Sequence, residues 1–351
     1  MYRLKLVLLS LLFVSLQSPA ASGFRQITLP ASDSAARALE MTVWYPTASQ
    51  APIEKAGENP AFVGVDVIPN APPLPGAHPL LVLSHGYNGN WRNLSWIATA
   101  MSAEGYIVAA VDHPGTTTFN QNVAEAKKLW RRPQDLSQVI NALIADPGVS
   151  GEVDVGRIAA LGHSLGGWTV MALAGARFDT ERFTTDCRQH ALLAGCHLRQ
   201  KLGFDLPSSR PELLKNYRDK RVKAIVALDA GAVRGFSPES LATIHLPLLI
   251  LAAGVDTPEV DSGLESGYLA SGAAARWVTF ERVYGATHFS FMQQCKTGAE
   301  ALINEDSPGE GVICHDGDGV TRADIHQRLI QQISLFLNAA LDYRPPVGET
   351  G

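Results

Sequence analysis

The stretch that most constrains this chain is Gly162-His163-Ser164-Leu165-Gly166-Gly167. An apolar run, Arg157 to Leu161, precedes it. A run suited to a helix, Leu165 to Arg177, follows it. A serine flanked by glycine two residues either side, between strand and helix, marks a sharp turn that lifts a hydroxyl above the carboxyl edge of a sheet. The turn is strained, so only small residues fit beside it. The N-terminus of the next helix favours negative charge developing there. Ser164 is therefore a candidate nucleophile. The plainer reading is a glycine-rich turn with an idle serine.

Such a turn needs a sheet, and the rest of the chain supplies one. Apolar runs read as strands at Leu39 to Tyr45, Leu80 to Ser84, Tyr106 to Val111, Val222 to Leu228, Leu248 to Ala253 and Arg276 to Val283. Several are apolar throughout, as strands buried on both faces are. Helices are expected at Trp91 to Glu104, at Pro133 to Ala145 with Pro133 near its first position, and at Arg322 to Leu341. Ile325, Leu329, Ile333 and Leu337 would form the apolar stripe of the last. The alternation implies an α/β fold, with a mostly parallel central sheet covered by helices on both faces. Between Pro46 and Pro79 we expect loops with one short strand. Residues 178 to 220 break the alternation and read as a small inserted helical cap.

Composition fits a globular protein. With 351 residues, 46% hydrophobic and 18% charged, the chain is too apolar for disorder. A net charge of −5 leaves no cation excess for phosphates, so nucleic acid is not an expected partner.

The N-terminus reads as an export signal. Arg3 and Lys5 precede an apolar run from Leu6 to Leu16, and small residues follow at Ser18 to Ser22. We expect cleavage near Ala20 or Ala21, making 1–21 a signal peptide and 22–345 the folded domain. An uncleaved anchor is the alternative. No later apolar run reaches the ~18 residues of a membrane-spanning helix. The mature protein is expected to be secreted or periplasmic. Export makes the four cysteines disulfide candidates. Of three connectivities we expect Cys187–Cys196 and Cys295–Cys314, with free buried thiols as the alternative.

Two more segments complete a candidate site. Ser84-His85-Gly86-Tyr87-Asn88-Gly89 follows a buried strand. Its loop can place the Tyr87 amide near Ser164, opposite the amide of Leu165, as an oxyanion hole. His85 is expected to bond within the loop. The plainer reading of the loop is an ordinary Asn-Gly turn. His288, in Gly-Ala-Thr-His-Phe-Ser-Phe after the last strand, is the expected general base, with Phe289 and Phe291 excluding water. His78, His113, His190, His197, His245, His315 and His326 are assigned surface or local roles. Two aspartates compete to orient His288. Asp256 follows the strand Leu248 to Ala253 and is the first choice. Asp229 ends the previous strand and is the alternative. Either could be a turn aspartate only.

The ordered motifs SHGYNG, GHSLGG, LDAG, AAGVDTP and GATHFSF resemble those of α/β-hydrolases. More narrowly, they are similar to exported bacterial proteins labelled dienelactone hydrolases and to platelet-activating-factor acetylhydrolase-like lipases. The resemblance runs from about residue 39 to 341. It includes Ile313-Cys314-His315 and Arg322-Ala323-Asp324-Ile325-His326. True dienelactone hydrolases use a cysteine nucleophile, and this chain has Ser164. The acetylhydrolases take their acid from the position of Asp229, most other hydrolases from that of Asp256.

The resemblance implies an exported serine esterase. Ser164 would attack a small-molecule or lipid ester, His288 would move the protons, and an acyl-enzyme would form. No cofactor or metal is implied. Asp316-Gly317-Asp318-Gly319 is not read as a calcium loop, because Val320 stands where an oxygen ligand belongs. A lipase or phospholipase A2-like acyl hydrolase is one alternative, its groove lidded by Leu192, Leu193, Leu198 and Leu202. A non-catalytic binding protein on the same fold is the other. An acyltransferase or amidase would use the same groups.

Overall fold

The computed structural model describes residues 21–31 and 37–345. The expected signal segment therefore falls outside it, apart from Ala21. Ten strands form one sheet: β1 (Ser22–Leu29), β2 (Leu39–Tyr45), β3 (Glu54–Ala56), β4 (Val65–Pro69), β5 (Ala77–Ser84), β6 (Ile107–Asp112), β7 (Glu152–His163), β8 (Val222–Leu228), β9 (Leu248–Ala253) and β10 (Val278–Val283). Their order is β10-β9-β8-β7-β5-β6-β2-β1-β4-β3. From β6 to β10 all neighbours run parallel. The β2–β6, β1–β2 and β3–β4 pairs are antiparallel.

Side chains alternate across the sheet, so each strand feeds two cores. On β5, Leu80 and Val82 join Leu136, Val139 and Ile140 of the Arg131–Ala145 helix and the packed face of the Leu165–Ala174 helix. Leu81 and Leu83 meet Ile97 and Met101 of the Ser95–Ala103 helix on the other face. There Ile325, Leu329, Ile333 and Leu337 of the Arg322–Ala340 helix are all fully buried, as their spacing predicts. Both faces being covered explains why the central strands read as continuous apolar runs.

Several boundaries differ from expectation. β1 was not anticipated; it is half-buried and pairs with β2. The 46–79 segment holds two short strands and the start of β5. Trp91–Leu94 is a 3₁₀ turn before the first α-helix. The helix expected from Pro133 begins at Arg131, so Pro133 is its third residue. Its missing N–H still lies in the first turn, where none is needed. The helix after Ser164 ends at Ala174, because Gly175 turns left-handed at φ 111°.

The interruption after that helix holds three helical pieces, Thr180–Gln189, Ala194–His197 and Arg210–Leu213. Disulfides join Cys187 to Cys196 and Cys295 to Cys314. Of the four leucines considered for a lid, Leu193 and Leu202 are buried, and Leu192 is exposed. Among the described residues, no helix is long and apolar enough to cross a membrane.

Candidate active site

β7 delivers Ser164 into the expected turn. Its φ of 55° and ψ of −120° are strained for a residue with a side chain. The glycines make that geometry possible. A Cβ on Gly162 would lie 2.0 Å from the Gly166 carbonyl oxygen, and one on Gly166 would lie 1.9 Å from the Ser84 carbonyl oxygen. Backbone bonds hold the turn: the Ser164 N–H donates to Leu228 at 3.0 Å, and the Gly231 N–H donates to Ser164 at 3.1 Å.

His288 opens a 3₁₀ turn, His288–Phe291, after β10. Its Nε2 lies 3.0 Å from Ser164 Oγ, and its Nδ1 lies 2.6 Å from Asp229 Oδ2. Asp229 is the first residue past β8, buried at 2% exposure, with φ 40°. Its other oxygen accepts the Ala253 N–H at 2.8 Å. The carboxylate is thus fixed from both sides.

Asp256, the first choice from sequence, is not brought to His288. Three residues past β9, it accepts Ser262 Oγ–H at 2.7 Å and pairs with Arg282 of β10 at 2.6 Å. Partial burial opposes its charge, but the Ser262 and Arg282 bonds outweigh that and hold its carboxyl below the usual range. The physical reason is reach. A residue directly at the strand end stays level with the site, and one three further on follows its own turn. The structure joins the alternative, Asp229, to the histidine.

The loop after β5 lies on the other side of Ser164. Tyr87 and Leu165 line one cavity with Ser164 and His288. Among the described residues, no acceptor is bonded to the Tyr87 N–H. The Leu165 N–H, first in its helix, has no partner by helix geometry. His85 is buried and bonds within the loop, as expected. Its Nε2 accepts the His113 N–H at 3.0 Å. Its Nδ1 must then carry the proton, which it donates to the Gly86 carbonyl at 2.6 Å. Burial, then the charge of Arg132, hold His85 well below the ordinary imidazole pKa.

Sequence reasoning passed over His163. His163 packs 4.8 Å from the His288 ring, and its Nε2 lies 2.9 Å from the His288 carbonyl oxygen. Burial, then the neighbouring His288, keep it neutral. His113 was assigned a local role, yet is fully buried beneath the Tyr87 loop. The periodicity of strand β6 gives no sign of this, because His113 lies one residue beyond it.

The cavity measures about 50 Å³, with Tyr87, Leu165, Leu198, Ala232 and Val260 in its walls. Leu198 comes from the inserted segment. Glu265 also lines it, its two oxygens accepting the Ala232 and Val233 amides at 3.2 and 2.9 Å. Burial pushes Glu265 up to about 7 against those amides. Phe289 meets the His288 ring edge-on at 5.3 Å.

The His288 turn is clamped from behind. Ser290 donates to Asp316 at 2.5 Å, and Arg322 donates to Asp316 at 3.0 Å and to the His315 and Gln293 carbonyls at 3.2 Å. Asp316 therefore serves this clamp.

Comparison with known proteins bears on the fold. Residues 76–226 match the model of a family described as serine aminopeptidase, S33. Cutinase est1 of Thermobifida alba is 28% identical over 101 residues, 28% of this chain and 31% of that one. Cutinase 2 of Thermobifida cellulosilytica is 30% identical over 99 residues, 28% of this chain and 35% of that one. A bis(hydroxyethyl) terephthalate hydrolase of Streptomyces coelicolor is 24% identical over 102 residues, 29% of this chain and 30% of that one. The chain thus spans about a third of the length of the curated relatives it matches. Among solved structures, a ferulic acid esterase from Streptomyces cinnamoneus has a TM-score of 0.60 at 20% identity, covering 94% of this chain and 93% of that one. A puromycin-hydrolysing peptidase of Mycobacterium tuberculosis has a TM-score of 0.54 at 14% identity, covering 92% of this chain and 40% of that one. Strand order, serine turn and these likenesses agree: the chain has the α/β-hydrolase fold.

Proposed function

We propose that this chain is an exported serine hydrolase of carboxylic esters. The observation that carries the reading is the unbroken row Ser164 Oγ, His288 Nε2, His288 Nδ1, Asp229 Oδ2, at 3.0 and 2.6 Å. His288 accepts the Ser164 proton as the oxygen attacks an ester carbonyl. Asp229 fixes the imidazole tautomer and stabilises its cation. The Tyr87 and Leu165 amides donate to the tetrahedral oxyanion, each worth roughly 2.7–4 kcal/mol in a comparable site. His288 then protonates the leaving alcohol, and water activated by the same imidazole releases the acid.

The names of the cutinases, the terephthalate hydrolase and the ferulic acid esterase support ester over amide. The complete row supports an enzyme over a binding protein. Two disulfides support an oxidising compartment, and with it the export signal. Residues 178–220 act as a small cap contributing one wall of the cavity.

The cavity argues for a small acyl group. About 50 Å³ beside Ser164 has room within its walls for a short acyl group, and a longer chain would extend through the open mouth. The test is hydrolysis of p-nitrophenyl esters from acetate to palmitate, beside p-nitroacetanilide, for the mature protein and Ser164→Ala. We expect the highest kcat/KM on the shortest esters, little anilide cleavage, and a loss of about 10³-fold or more in the variant. Ester hydrolysis that survives Ser164→Ala overturns the reading. A palmitate optimum replaces the small-ester reading with a lipase.

A further inference from the structure

The Arg132 side chain is 1% exposed, yet among the described residues no carboxylate lies within ion-pair distance of it. Asp135 attracts it from nearby but is held by Arg37 and His113. Burying an unpaired guanidinium costs several kcal/mol, so it is a poor device for stability alone. Its bonds run to four neutral oxygens. Nε donates to Thr169 Oγ1 at 2.8 Å, and Nη1 donates to Thr116 Oγ1 at 2.6 Å. Nη2 donates to Ser84 Oγ at 3.1 Å and to the His85 carbonyl.

Each acceptor leads to the proposed oxyanion hole. Thr169 passes the contact on, donating its hydroxyl to the Leu165 carbonyl at 3.0 Å. The Thr116 carbonyl accepts the Asn88 N–H at 2.9 Å, just beyond Tyr87. The His85 carbonyl lies two residues before the Tyr87 amide. Ser84 Oγ, accepting from Arg132, donates to His113 Nε2 at 2.9 Å, and His113 Nδ1 donates to Asp135 at 2.8 Å. That second serine–histidine–aspartate row is buried, with Ser84 and His113 at 0% exposure. It meets no substrate, and it fixes the direction of one hydroxyl. One guanidinium thus braces both segments that carry the unpartnered amides.

We propose that Arg132 is a positioning residue for the oxyanion hole, acting through His85, Thr116 and Thr169. The proposal rests on the esterase reading above. Rigid placement of donors is what such a hole needs, because the transition state uses them without reorganisation.

The test uses the full mature chain with Arg132→Met, p-nitrophenyl acetate, and a trifluoromethyl ketone that adds to the serine as a tetrahedral oxyanion. We expect kcat to fall about tenfold to a hundredfold with KM held within about twofold. Inhibition by the ketone should weaken in step with kcat/KM, as for any transition-state mimic. The pH at half-maximal kcat/KM should not move, because His288 and Asp229 are untouched. Thr169→Val, which removes the hydroxyl that joins Arg132 Nε to the Leu165 carbonyl and leaves the other three bonds of the guanidinium in place, should give a smaller loss with the same proportionality. If Arg132→Met does not fold, Thr169→Val decides by the same two measurements. Unchanged kcat in the folded variant, or a fall in kcat with ketone inhibition intact, overturns the proposal. Ser164→Ala runs alongside. If it keeps activity, the esterase reading fails; if it is inactive and Arg132→Met is normal, only the brace fails.

Discussion

A carboxylate one residue past a strand end meets different neighbours from one three residues past it. Asp229 is bonded to His288 and to the Ala253 amide, whereas Asp256 is bonded to Arg282 and Ser262. We therefore expect Asp229→Asn to lower kcat by about 10³–10⁴-fold, since the amide stabilises the wrong imidazole tautomer. Asp256→Asn should stay within a few-fold of wild type. Steady-state kinetics on p-nitrophenyl acetate decide, and equal damage at both positions rejects the assignment. Ser164 and His288 were legible in the sequence because glycines and small residues mark their turns. The carboxylate that meets His288 was not, because both candidates stand after buried strands and only the backbone direction separates them. Arg132 was illegible for another reason. In Arg131-Arg132-Pro133-Gln134 nothing distinguishes a buried guanidinium from its half-buried neighbour.

The two loops flanking Ser164 are held by different means. The Tyr87 loop hangs on hydrogen bonds beneath it. The His288 turn is clamped by Asp316 and Arg322, and the Cys295–Cys314 bond ties the two chain segments together. Removing that disulfide with Cys295→Ser and Cys314→Ser frees a loop of about 20 residues, worth roughly 3 kcal/mol. We expect a lower Tm by calorimetry, and a kcat that falls on warming well before global unfolding. A kcat that tracks the Tm of the whole fold would show that the turn holds without the bond. Strands and long helices were legible as elements because periodicity reports burial. Short 3₁₀ turns and β1 were not, since few residues carry their pattern.

Across the whole molecule, buried histidines and acids pull against each other as pH falls. His85, His113 and His163 are held well below the ordinary 6.5 by burial and neighbouring charge, and burial lowers His326 to about 3. Below about 6.5 the unfolded chain binds these protons and the folded one does not, so each histidine removes stability as pH falls. Asp112 and Glu265, pushed up to about 7 by burial, act oppositely. From 7 down to about 4 the folded chain takes their protons first, adding stability. Because the histidines outnumber these acids four to two, we expect urea stability to fall gently from about pH 6 to about 4, at roughly half the slope of the histidines alone, and then to drop steeply. A decline already at its full steepness at pH 6 would mean that the histidines titrate without opposition. The layered sheet was legible because apolar runs alternated with helical ones. The interior charges were not, for composition does not say which ionisable groups are enclosed. The inserted segment carries one more consequence. It supplies Leu198 to the cavity, while Ser164, Asp229 and His288 come from the edge of the sheet. Its own bond, Cys187–Cys196, secures it without drawing on the reacting groups. Appetite and machinery are thus inherited from separate stretches of chain, and grafting a foreign insertion here is a route to new substrates that leaves the chemistry in place.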